Sequence, residues 1–73
     1  MLDINDVIKV KKKVQDNIEV GEVGTIVHIF DMTPPVYLIE FIDDEGRTTK
    51  MVSLKEEDIS LYWIASTETY VDN

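Results

Sequence analysis

The sequence predicts an all-β fold, a small, partly open barrel of five strands with one short helical turn before the last strand. Three observations carry that expectation. Apolar residues alternate with polar ones in brief segments instead of recurring at helical spacing. Clusters of glycine, proline and acidic residues separate those segments at short intervals. A chain of 73 residues with no cysteine has no disulfides to stabilise it, and closing a sheet removes the edges that a flat one would expose.

The elements follow in order. In DVIKVKKKV, residues 6 to 14, Ile8 and Val10 alternate with Lys9 and Lys11. Lys12 then falls on the apolar side, so regular pairing is expected to end near Val10 and a long loop to begin. Within QDNIEVGE, Ile18 and Val20 are the two apolar residues available to pin that loop to the core. Gly21 and Gly24 bracket Glu22 and Val23 at a corner, where backbone must turn or pass another strand closely. Thr25 to Phe30 is β-branched or aromatic except at His28, and placing Val27 and Ile29 inward turns His28 outward. The prolines of DMTPP force a turn. VYLIEFI puts Tyr37, Ile39 and Phe41 on one face, with Leu38 and Glu40 on the other. DDEG places Gly46 at the left-handed position of a tight hairpin, and Arg47 to Leu54 returns as its partner. KEED, residues 55 to 58, suits a single helical turn. ISLYWIA, residues 59 to 65, closes the barrel. The expected division is a barrel over residues 1–64 and a C-terminal tail over 65–73, frayed or pairing with a sheet edge.

Composition bounds the function. Fifteen acidic residues against seven basic ones leave a net charge of −8, which repels phosphate and argues against nucleic acid as a partner. The exception is local, because Lys9, Lys11, Lys12 and Lys13 lie within five residues. No apolar run approaches the roughly 20 residues that cross a bilayer, and MLDINDV is acidic where a secretory signal would be basic. The expectation is a cytoplasmic protein without a membrane partner.

Motifs that could carry chemistry resolve into structure. Gly21 and Gly24 lack the third glycine, the lysine and the following helix of a phosphate loop. Placing Gly46 at the sixth position of a calcium loop puts Phe41 and Val52 at its first and twelfth, where neither can bind a cation. His28 has no nucleophile in a signature turn beside it. Glu56 and Glu57 on an exposed turn should both stay ionised. No enzyme, cofactor or metal is expected. Tyr62 and Trp63 are adjacent on a strand, so only one can enter the core, and the other is left at the surface or under the tail. With Glu56, Glu57 and Asp58 beside them, these residues form the candidate protein-binding surface, aromatic with an acidic rim.

The segments DVIKV, VGEVGTIVHI, YLIEF, DDEGRT and VSLKEEDI resemble a family of short bacterial proteins with an SH3-like barrel, classed as a domain of unknown function. The resemblance spans roughly residues 5 to 60 and implies an SH3-like barrel here. The glycine-valine corner is also similar to KOW modules and to the small barrel subunit of photosystem I. The double proline and the tail from Leu61 onward depart from the family pattern. Toxin-like genes beside some members imply a neutralising or immunity-like partner role. The expected function is therefore a non-enzymatic module that docks on or occludes a protein partner, with a homodimer left open. Two alternatives accompany it: an acidic mimic of nucleic acid that inhibits a nuclease, and RNA contact through Lys9 to Lys13.

Overall fold

The computed structural model describes residues 2–71. Six strands form, β1 (Val7–Val10), β2 (Val23–Phe30), β3 (Val36–Ile42), β4 (Thr48–Lys55), β5 (Ile59–Ile64) and β6 (Thr69–Tyr70), with a 3₁₀ turn at Glu56–Asp58 between β4 and β5. They make one antiparallel sheet in the order β4-β3-β2-β1-β5-β6. The fold is all-β, as the alternation predicted. Among the described residues no helix is long and apolar enough to cross a membrane.

The sheet is open at β4 and β6, and it cannot be flat. In a flat sheet β4 and β5, four positions apart in the order, would lie about 19 Å from each other at a strand spacing of ~4.8 Å. The chain from Lys55 to Ile59 spans at most about 14 Å when fully extended. The sheet therefore curves, and Leu54 of β4 and Ile59 of β5 join one buried cluster with Ile8, Val10, Ile26, Tyr37, Ile39, Phe41 and Val52. Ile18 enters the same cluster from the long loop.

Local chemistry explains the elements. Tyr37, Ile39 and Phe41 are buried, and the residues between them are half-buried. At the hairpin, Asp43 Oδ1 accepts the backbone N–H groups of Glu45 and Arg47, while Gly46 sits at φ +81°. The Gly21–Gly24 corner serves both purposes of glycine. Gly21 turns at φ +98°, and a Cβ on Gly24 would lie 2.5 Å from Ile39 Cγ2 and 3.1 Å from the Glu40 carbonyl. β3 passes too close for any side chain there.

Four expectations need correction. The sheet has six strands, not five, because Thr69 and Tyr70 of the tail pair with Ile64 and Trp63 of β5. Asp72 and Asn73, the end of that tail, lie outside the described residues, as does Met1. Only Ile18 pins the loop, since Val20 is 59% exposed. In β2 the pairs Ile26↔Ile39 and His28↔Leu38 leave Val27 as an extra residue; this bulge switches faces, so Ile26 instead of Val27 is fully buried while His28 stays exposed. Finally, neither Tyr62 nor Trp63 enters the core; both are half-buried. The pairs Ile8↔Leu61 and Val7↔Trp63 skip Tyr62, and a bulge there relaxes the strict opposition of adjacent side chains.

Candidate docking groove

The 3₁₀ turn is built by its own acids. Asp58 Oδ2 accepts the Lys55 N–H at 3.0 Å, and the Asp58 carbonyl accepts the Lys11 N–H at 2.9 Å. One residue thus fixes the backbone of both lysines and ties β4 to the end of β1. Glu56 Oε1 accepts the hydroxyl of buried Tyr37 at 3.2 Å. Burial chiefly, and then that hydrogen bond and the Glu56 charge, raise the Tyr37 hydroxyl above its ordinary pKa. Glu57 pairs with Lys12 at 3.0 Å, and the hydrogen bond and charge of Lys12, with smaller help from Lys55 and Lys11, hold its carboxyl below the usual range.

Beside this turn lies a groove of about 600 Å³. Leu2, Pro34, Ile59 and Leu61 supply its apolar part, and Lys11, Lys55, Glu56 and Glu57 its charged rim. Of the residues expected to bind a partner, Glu56 and Glu57 line the groove and Asp58 supports it from behind. Tyr62 and Trp63 do not line it, although their neighbour Leu61 does. Tyr62 is instead covered, with the Tyr70 ring edge-on at 5.2 Å and Lys9 Nζ 4.8 Å from its ring centre. The tail that was expected either to fray or to pair thus lies against one of the two aromatics. It leaves Tyr70 itself 68% exposed. The lysine cluster is divided as well: Lys9 lies over Tyr62, Lys12 pairs with Glu57, and Lys13 pairs with Glu19. His28 is exposed, with its ring 4.8 Å from that of Phe30.

Sequence reasoning missed two features. The groove draws Leu2, Lys11, Pro34 and Leu61 from four separate segments, and no spacing rule connects them. Asp6 is only 3% exposed; its carboxylate accepts the N–H of Asp3 at 3.0 Å and of Ala65 at 2.9 Å. It clasps the start of the chain to the end of β5. Its signal was an Asn-Asp pair before the first strand, and Asn5 does take a left-handed turn at φ +76°.

No curated protein and no solved structure matches this chain. Residues 4–61 match the family described as Domain of unknown function (DUF4926), which covers β1 through the first half of β5 and with them most of the groove. The chain belongs to that family.

Proposed function

We propose that this chain is a non-enzymatic protein-binding module that docks on a protein partner through the groove and acts by occluding or tethering it. We read the curved sheet as a partly open SH3-like barrel, and the setting as the bacterial cytoplasm, with an immunity-like role among the uses such a module would serve. The groove carries the proposal. Apolar residues form one part of it and charged side chains form the rim, with Glu56 held by the Tyr37 hydroxyl and Glu57 by Lys12, the anatomy of an interface with an apolar centre and a polar border. The surrounding negative charge would mainly raise the rate at which a basic partner surface arrives.

The test is capture of a partner from bacterial lysate by the immobilised chain, compared with Leu61→Lys in the groove and Met51→Lys on exposed β4. Loss of one specific protein with Leu61→Lys alone supports the proposal. Equal capture by all three chains overturns it. Once a partner is in hand, added salt should slow its association, because it screens the attraction between this acidic chain and a basic partner surface.

A further inference from the structure

The inventory of cations singles out one place. Lys12 pairs with Glu57, Lys13 with Glu19, Arg47 with Asp43 and Glu45, and Lys50 with Glu22. Lys9 lies over the Tyr62 ring. Among the described residues, two cations remain with neither a carboxylate within ion-pair distance nor an aromatic ring, Lys11 and Lys55. Both border the groove, and both have their backbone N–H groups held by Asp58. The groove's own acids are already engaged, Glu56 by the Tyr37 hydroxyl and Glu57 by Lys12.

We propose that the groove takes an extended peptide segment of the partner that bears one carboxylate among apolar residues, with Lys11 and Lys55 receiving the carboxylate. This rests on the docking function above and names what is docked. Complementarity of charge selects the ligand. At the groove Lys11 and Lys55 equal Glu56 and Glu57 in number, but the two acids already have side-chain partners and the two lysines have no carboxylate within ion-pair distance among the described residues. An ammonium close to a carboxylate over apolar surface interacts more strongly than the same pair in open water. The field of the whole chain repels a run of acids, so the ligand is a single carboxylate within an otherwise uncharged or basic segment. The apolar side chains flanking it would lie on Leu2, Pro34, Ile59 and Leu61. The groove sits at the surface between the 3₁₀ turn and the proline turn. It would leave much of a small molecule in water, while an extended segment gains contacts along its length.

The experiment titrates the isotopically labelled chain with three end-blocked hexapeptides of leucine, proline and alanine that differ at one central position, glutamate, glutamine or lysine. Amide shifts are followed by nuclear magnetic resonance. The glutamate peptide should shift the amides of Lys11, Lys55 and Leu61 and bind about tenfold more tightly than the glutamine peptide at low salt. Lys11→Gln with Lys55→Gln, both on the surface, should reduce that ratio to near one while the remaining spectrum stays dispersed. Equal binding of all three peptides at the groove, or preference for the lysine peptide, overturns the carboxylate assignment and leaves docking intact. A preference for glutamate that persists in the double variant overturns the role of the two lysines. Absence of shifts at the groove amides with every peptide overturns the peptide proposal, and the lysate comparison with Leu61→Lys then decides the docking function separately.

Discussion

The β2-β3-β4 meander and the β1-β5-β6 flank are both antiparallel, but different forces hold them. In the meander, ladders run along most of each strand, the turns are short, and Ile26, Tyr37, Ile39, Phe41, Val52 and Leu54 supply most of the buried apolar cluster. In the flank, β1 has four residues and β6 two. Single polar acceptors join its pieces: the Asp6 carboxylate reaches Ala65, the Asp58 carbonyl reaches Lys11, and the Tyr62 carbonyl takes the Val71 N–H. The meander is determined by neighbours in sequence, whereas the joining of β1 to β5 depends on groups that find partners dozens of residues away. Apolar truncation should therefore hurt the first most, and loss of one acceptor the second.

The sharpest break should come at the centre of the meander. Ile39 is fully buried and touches the space left open by Gly24. Ile39→Ala should lower the unfolding free energy by about 4 kcal/mol, the transfer cost plus the cavity left behind. A urea melt measures it, and a loss under about 1 kcal/mol would mean that the site collapses to fill the void and that the meander is not the rigid half.

Asp6 is the matching test of the flank. Asp6→Ala removes two hydrogen bonds to a charged acceptor, from exposed Asp3 and half-buried Ala65, which should cost about 3 kcal/mol in all. Asp6→Asn keeps one acceptor oxygen and should cost about half as much. Amide hydrogen exchange adds the location: protection should fall first in β5 and β6 and persist in β3. Uniform loss across the sheet would erase the distinction between the two halves.

A subtler change probes the contact between strands. Gly24→Ala places a methyl group against Ile39 Cγ2, on a buried side chain stiffened by its branch at Cβ, and against the Glu40 carbonyl. Overpacking of this kind should cost about 2 kcal/mol. The double change Gly24→Ala with Ile39→Leu, which is unbranched at Cβ and so lacks Cγ2, removes one clash, so a combined loss smaller than the sum of the two single losses would show that Ile39, more than the backbone, sets the penalty.

The same contrast explains what was legible in the sequence. Tyr37, Ile39 and Phe41 alternate, Gly46 follows three acids, and KEED stands between two apolar runs; each signal is local, and the corresponding β3, hairpin and 3₁₀ turn form where those signals lie. The bulge at Val27 was hidden because Ile26, Val27 and Ile29 are all apolar, so the phase of the strand has two equally good solutions. Pairing of the tail was legible as one of two outcomes, since two residues are too short to choose it over fraying. Glu56 and Glu57 were legible as exposed acids, but their partners Tyr37 and Lys12 were not, since pairing over such separations leaves no trace in spacing. The groove was invisible for the same reason.

The smallest effect is expected where the long loop meets the meander through charge. Glu22, at the corner before β2, pairs with Lys50 of β4 at 3.0 Å and accepts the Glu19 N–H at 2.7 Å. That backbone hydrogen bond first, and then Lys50, hold its carboxyl below the ordinary value of 4.5 against a partial opposing effect of burial. Because the folded pKa lies below the unfolded one, the stabilisation is present above about pH 4.5 and fades as pH falls through the lowered folded value. Glu22→Gln should cost about 0.5 kcal/mol at neutral pH, since the pair is partly in water and salt screens it. The difference from the parent chain should vanish in acid. Urea melts at neutral pH and at pH values below the carboxylate range measure both numbers. A difference that persists in acid would mean that Glu22 acts through packing, and the loop would then be fastened to the meander by Ile18 and by the hydrogen bond from Lys50 Nζ to the Asn17 carbonyl.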